Sequence, residues 1–332
     1  MTRSTFAIAC LVAAAATIAL FGCRGAASAA EQWNFYMHQS APNFATSRGA
    51  RLFTEEIERA TNGELKIRLH LAGTLQINAT NITQAVGENI VQIGDDLFNS
   101  GNIAVAGIPR LPMLIQSYED FAKADAVLKP YIERAFAQKG STVLASYTYP
   151  MQFVWGRKKL EALDDIKGMK LRVAQPEQGE LVRRFGGVSI TMSAPEVPSA
   201  LDRGVMDGIF TAGVGAVLWK DLLKFAYVMI VNVNNSYFIA NTDAYRKLSP
   251  ELQAKLRKAA EDAARWNQDT MKMEEADSVQ ILKSAGYTFT QARPDEIVRA
   301  VAAMKPYWDE WAKSRGSDVV EALTKVRAAL GR

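Results

Sequence analysis

The sequence predicts an α/β protein built as two lobes. Three observations carry this expectation. The chain has 332 residues, more than one hydrophobic core usually serves. Short apolar strand runs alternate with amphipathic helical stretches through most of its length. One helical pattern, residues 251–285, is far longer than an average helix and long enough to lie across two lobes.

The first 30 residues read as an export leader. Arg3 gives a positive start, Phe6 to Phe21 is apolar, and Ala27-Ser28-Ala29 offers a small-x-small cleavage site. The apolar run is short for a membrane span. Leu20-Phe21-Gly22-Cys23 resembles a lipobox, so Cys23 either carries a lipid anchor or is discarded with the leader. The expected mature chain starts near Ala30 or Glu31 or at Cys23, and its location is the periplasm.

The mature part opens with a buried strand at 33–38. A helix follows from Ser47 to Ala60, where Leu52, Phe53, Ile57 and Ala60 recur at steps of three and four, and Thr61-Asn62-Gly63 stops it. Leu65 to Leu71 alternates apolar and polar residues as a half-exposed strand does. A helix is expected around 82–88 and a strand at 90–93. Farther on, 142–146, 153–156, 170–173, 189–192 and 208–211 are strand candidates, with helices at 177–185 and 195–203 between them. Residues 251–285 carry Leu252, Leu256, Ala259, Ala263, Trp266 and Met273 in helical spacing. Two helices, 294–314 and 317–330, close the chain.

Composition narrows the function. Apolar residues make up 48% and charged residues 22%, as in ordinary folded proteins. The net charge is +4, and Arg3 and Arg24 of the leader account for two of these charges, leaving +2. Such a balance excludes the basic footprint of a nucleic-acid binder. The only cysteines are Cys10 and Cys23, so a mature domain can hold no disulfide framework. There is no HExxH, CxxC, GxSxG or GxxxxGK motif, and no metal or cofactor is expected. His70 reads as an exposed strand histidine. Gly213-Val214-Gly215 is a lone GxG, read as a tight turn after a strand. Asp95-Asp96 and Asp164-Asp165 are read as loop or cap residues, because neighbours on a strand point apart. An exported two-lobed chain without a catalytic set reads as a binding protein.

Three stretches carry a resemblance. They are Thr61-Asn62-Gly63-Glu64-Leu65-Lys66-Ile67 with Ala72-Gly73-Thr74-Leu75; Ile108-Pro109-Arg110-Leu111-Pro112-Met113-Leu114; and Leu163 to Val173 (LDDIKGMKLRV). Pro195-Glu196-Val197 and Ala200 to Gly208 (ALDRGVMDG) follow some twenty residues later. In order and spacing, these segments resemble the solute-binding subunits of tripartite ATP-independent periplasmic (TRAP) transporters, the C4-dicarboxylate-binding, DctP-like family. The likeness runs from about Trp33 to the C-terminus.

The resemblance implies a periplasmic-binding-protein architecture: two lobes around a ligand cleft, hinge strands and a long helix spanning both. It implies lobe I at 31–153 plus about 237–280 and lobe II at 154–236 plus about 281–332. It also implies partners: a small organic acid and the membrane permease subunits of a TRAP transporter. A monomer is expected. Arg172 matches the arginine of the family's KLRV strand that pairs with a substrate carboxylate, a task suited to the planar fork of a guanidinium. Arg157 matches a second basic position, though it equally suits a solvent-facing role beside Lys158 and Lys159. His38 aligns with a polar position reaching the cleft in some members; a core or capping role is its rival. Sialic-acid-binding members have asparagine where Thr211 stands and an acid where Phe210 stands, so this chain departs from their pattern toward a more apolar pocket. Trp155 and Tyr237 are candidates for its wall, whereas Trp219 reads as core. Asn89 stands where many members have glycine. The leading expectation is capture of a monocarboxylate or similar organic anion for a permease. Docking of the liganded form on a membrane receptor ectodomain, a binding subunit of another transporter class, or an exported hydrolase are the rival classes.

Overall fold

The computed structural model describes residues 31–192 and 196–332. The leader, Cys23 and the first residue of the expected helix at 195–203 lie outside them.

The first sheet contains β1 (Glu31–Met37), β2 (Leu65–His70), β3 (Ile93–Asp96), β4 (Ser141–Thr148) and β10 (Asn235–Asn241), in the order β2-β1-β3-β10-β4. The second contains β5 (Gln152–Gly156), β6 (Lys170–Val173), β7 (Val188–Thr191), β8 (Gly208–Thr211), β9 (Phe225–Asn232) and β11 (Thr288–Gln291), in the order β11-β9-β5-β8-β6-β7. Each sheet is parallel except for one strand. In the first the exception is β10, antiparallel to β3 and β4. In the second it is β5, antiparallel to β8 and β9.

Those two exceptions are the strands that arrive from the other sheet. β4 leaves the first sheet and, after Tyr149-Pro150-Met151, becomes β5. β9 leaves the second sheet and, after Val233-Asn234, becomes β10. The crossings are tied together by Tyr149 N–H donating to the Asn234 carbonyl at 2.8 Å. Three extended residues span at most about 10 Å. The short crossings therefore hold the carboxyl ends of the parallel strands of both sheets face to face, the edge at which open α/β sheets bind ligands.

Helix α1 (Ala45–Ala60) packs its buried face, including Ala50, Phe53 and Ile57, on one side of the first sheet. Phe53 and Ile57, both fully buried, each contribute about 1.5–3 kcal/mol. Helices α2 (Ile82–Gly87) and α3 (Tyr118–Gln138) cover the other side, where Val86, Leu128, Ile132 and Phe136 belong to the same core as Tyr237 and Ile239 of β10. Around the second sheet lie α4 (Pro176–Arg184), α5 (Val197–Asp202) and α6 (Gly213–Ala216). After α7 (Thr242–Lys247) comes α8 (Pro250–Ser284), which is 35 residues long. Its Leu256, Ala260, Ala263 and Met271 pack with α1 and the first sheet, and its Leu282 joins the core of the second. The long helical pattern is thus a lobe-spanning helix. The chain ends in α9 (Pro294–Lys313) and α10 (Ser317–Leu330).

Several expected elements move or change. The strand expected at 90–93 lies at Ile93–Asp96 instead. Asn89 takes φ 59° and Ile90 is exposed, so residues 89–92 form a turn rather than a strand. Asparagine tolerates the left-handed conformation that glycine takes freely, so the departure at Asn89 leaves a left-handed turn possible. Asp95 and Asp96 are therefore strand residues and both fully buried, not loop or cap residues. They do point apart, as strand neighbours must. Asp165 does cap: its Oδ2 accepts from the N–H groups of Glu161 and Ala162. Gly213-Val214-Gly215 opens α6 rather than a tight turn. His70 is half-buried against Asn34 Oδ1 at 2.9 Å.

Candidate functional site

On the first sheet, the rim facing the crossings consists of His38 after β1, Asp95 and Asp96 at the end of β3, Tyr149 after β4 and Ser236 at the start of β10. These side chains satisfy one another. Asp95 accepts from Tyr147 Oη at 2.8 Å and Ser236 Oγ at 2.5 Å. His38 Nδ1 lies 3.2 Å from the Asp95 carbonyl and 3.5 Å from its carboxylate, and Nε2 lies 2.8 Å from Tyr149 Oη. Burial pushes Asp95 above the usual carboxylate range, with His38, Ser236 and Tyr147 opposing. Burial likewise raises the Tyr149 hydroxyl, so it stays protonated and free to donate. The Phe98 ring meets His38 edge-on at 6.0 Å between centroids.

On the second sheet, the facing rim is Gln152 at the start of β5, Arg172 near the end of β6, Thr211 at the end of β8 and Asn232 at the end of β9. Leu171 and Val173 face the core that contains α4, so strand alternation turns Arg172 to the opposite face. It is 5% exposed. Its Nε donates to the Met192 carbonyl at 2.9 Å and its Nη1 to the Phe210 carbonyl at 3.4 Å. Burial lowers its pKa to about 10, against the pull of Glu196, so it remains a cation at neutral pH. Gln178 of α4 donates to Gln152 Oε1 at 2.5 Å and to Asn232 Oδ1 at 3.1 Å, which fixes the beginning of β5 and the end of β9. Beside Thr211, the N–H groups of Gly213 and Val214 donate to the Glu275 carboxylate of α8 at 2.8 and 2.9 Å. A Cβ at Gly213 would lie 2.7 Å from that carboxylate, so only glycine admits this approach of α8.

Of the seven expected site residues, the fold brings Arg172, Thr211 and His38 to the facing rims. Arg157 lies beyond the other end of β5, five residues from Gln152 and so about 16 Å along the strand. There it is exposed and donates to the Leu201 carbonyl at 2.6 Å. Trp155 is fully buried in the core beneath Thr211 and donates to the Thr211 carbonyl at 3.0 Å, so it supports the rim instead of walling the cleft. The Phe210 side chain is buried on the opposite face, and only its carbonyl reaches Arg172. Tyr237 points away from the rim and packs on Phe136 of α3 at 5.3 Å between centroids. A one-residue step along a strand reverses a side chain, and neighbouring strands set which face is core. Trp219 is core, as read.

Sequence reasoning missed Arg110 as a site element. It is fully buried at the seam. Its guanidinium donates to the Leu97 carbonyl, to the Asn235 carbonyl at 2.9 Å and, from the second lobe, to Gln175 Oε1 at 3.2 Å. Asp96 lies close enough for its charge to act on it, and burial pushes that acid up to about 7. The only signal was an arginine inside the apolar stretch Ile108 to Leu114.

Two facing rims on parallel strand ends, joined by two strand crossings and one long helix, define a two-lobed binding protein with its cleft between the sheets. Residues 36–314 match the model of the DctP family, bacterial extracellular solute-binding protein, family 7, and the chain belongs to that family. Curated relatives include the C4-dicarboxylate-binding periplasmic protein DctP of Rhodobacter capsulatus, 24% identical over 88% of this chain and 90% of that protein. Another is the sialic acid-binding periplasmic protein SiaP of Vibrio cholerae, 24% identical over 82% of this chain and 86% of that protein. Among solved structures, the Bordetella pertussis extracytoplasmic solute receptor DctP6, which binds pyroglutamic acid, superposes with a TM-score of 0.81. It is 22% identical and covers 90% of this chain and 99% of its own. A TRAP solute-binding protein of Roseobacter denitrificans with bound β-D-glucuronate gives 0.80 at 21% identity over 90% and 99%. These superpositions establish the two-lobed fold.

Proposed function

We propose that this chain captures a small organic acid in the cleft, pairs one carboxylate of it with Arg172, and delivers it to the membrane subunits of a TRAP-type permease. The observation that carries this reading is a buried guanidinium at the rim, still charged at neutral pH, whose hydrogen bonds among the described residues go to two main-chain carbonyls. A desolvated cation of this kind favours an anion that matches its fork. The ligands named for the relatives, a C4-dicarboxylate, sialic acid, pyroglutamate and glucuronate, share a carboxylate. Thr211 and the His38–Tyr149 pair would take the remaining polar groups of the ligand from either side.

The protein acts as a monomeric binder and not as an enzyme. It works in the periplasm, released after Ala29 or held by a lipid on Cys23. The lobes divide at the two crossings, Tyr149-Pro150-Met151 and Val233-Asn234, a few residues before the expected bounds at 153 and 236, and close on the ligand about them.

The test is a thermal-shift screen of organic acids, followed by calorimetry on the best ligand. Binding to the folded state alone stabilises it by about 2.7 kcal/mol at a hundredfold excess over Kd. Arg172→Ala is expected to weaken binding by about two orders of magnitude. Arg172→Lys should recover only part of the loss, because an ammonium keeps the charge but not the fork. Near-equal affinities across the three proteins would remove Arg172 from the site.

A further inference from the structure

A cavity of about 340 Å³ lies away from the cleft, over the edge strand β4, between α3 and α8. Its floor carries the apolar side chains Ile132, Val143, Leu144 and Ala264 beside the polar Ser146, Tyr237 and Gln268. Its two helical walls carry complementary ladders of charge. On α3 the ladder is Asp125, Lys129 and Glu133, and on α8 it is Arg257, Glu261 and Arg265. Each triplet is spaced by four residues and therefore occupies one face of its helix. Acid, base, acid stands on one wall and base, acid, base on the other.

These ladders would be expected to zip together, yet they do not. Among the described residues none of the six enters an ion pair within 4 Å, and the open volume separates them. Among the described residues Asp125 accepts no hydrogen bond, and desolvation raises its pKa against the pull of Lys129. Among the described residues Arg257 donates to the carbonyls of Val143 and Leu144, where β4 bulges away from β10, and lies over the Tyr245 ring. The wall on α3 carries one net negative charge and the wall on α8 one net positive charge.

We propose that this cavity is a second binding site, for a zwitterion of the α-amino-acid class with an aliphatic side chain. The ammonium lies on the α3 wall at Asp125, the carboxylate on the α8 wall at Arg265, and the aliphatic group on the apolar side chains of the floor. The volume is at the small end of the range for ligand pockets, as suits a ligand of this size. A ligand with a single charge would satisfy only one wall. The lining draws on α3, β4, β10 and α8 and includes none of the rim residues of the cleft. The inference does not depend on what the cleft binds.

The experiment is calorimetry of the mature protein with leucine, isoleucine and valine, beside 4-methylpentanoate and 3-methylbutylamine, which each lack one charge of leucine. Wild type, Arg172→Ala, Asp125→Asn and Arg265→Gln are compared, with unliganded melting curves as the control for folding. At least one amino acid is expected to bind one-to-one, with the affinity kept in Arg172→Ala and lowered at least tenfold in both Asp125→Asn and Arg265→Gln. The single-charge analogues should bind at least tenfold more weakly than leucine. No binding by any of the three amino acids overturns the proposal. So does binding that survives both cavity substitutions, or that vanishes in Arg172→Ala alone, which would assign the amino acid to the cleft.

Discussion

Arg110 and Arg172 are both buried cations at the meeting of the two lobes, and the protein treats them differently. Arg110 is bonded to two main-chain carbonyls and to Gln175 of the second lobe, with Asp96 at hand. Arg172 has two main-chain carbonyls and the charge of Glu196. A guanidinium offers five N–H donors. Where the protein engages most of them across the seam, with Nε left unpaired, the arginine acts as a fastening between lobes. Where it engages fewer, at a strand end that opens on the cleft, donors remain for a solute. The same residue type thus divides into structure and recognition according to how much of its hydrogen bonding the protein supplies.

The largest effect should come from the fastening. Arg110→Met would leave buried acceptors unpaired on both lobes, and breaking such a buried set costs about 3–5 kcal/mol. Urea unfolding should detect this loss. A change under about 1 kcal/mol would mean that the seam relaxes around the gap and that the contrast with Arg172 is false. Arg172→Ala should leave the urea midpoint close to wild type while it lowers affinity for the organic acid, the reverse of the Arg110 pattern.

Asp96 sharpens the comparison through pH. Its folded pKa is raised to about 7, above the unfolded value near 3.9. Between these values the folded state binds more protons than the unfolded one, so this group stabilises the fold at low pH and its contribution fades as pH rises from about 4 to about 7. Asp96→Asn should remove that slope from urea midpoints measured across this interval. An unchanged slope would mean that Arg110 keeps Asp96 ionised throughout. The smallest effect is expected at Arg157. Because it lies at the far end of β5, Arg157→Ala should change ligand affinity less than about twofold; a tenfold loss would put the cleft at the wrong end of the second sheet.

Much of this was legible in the chain. The strands at 170–173 and 208–211 have the observed bounds, and the long helix differs by one residue at each end. Such elements announce themselves through periodicity and caps; Ser249 with Pro250 starts α8, and the Ser249 hydroxyl accepts from Leu252 N–H. Strands β9 and β10 did not. All seven residues of β10 are buried, and Asn235, Ser236 and Asn241 break any alternation, because this strand meets polar partners at the seam. Helix α3 was obscured by Pro130 inside it. The export leader and the lipobox lie outside the described residues, so the sequence alone speaks for them.

By itself, then, the sequence determined the α/β class and the spanning helix, since these depend on local period, and the candidacy of Arg172, which its KLRV strand's family resemblance and visible alternation carry together. Only the tertiary structure decided which side chains share an edge. It put Trp155 and Phe210 into cores, moved Arg157 to the far end of its strand, and drew Arg110, Asp96 and Gln175 together from distant parts of the chain. The reason is physical: periodicity tells which face a residue takes within its own element, whereas the edge and the neighbour follow from how strands cross between sheets.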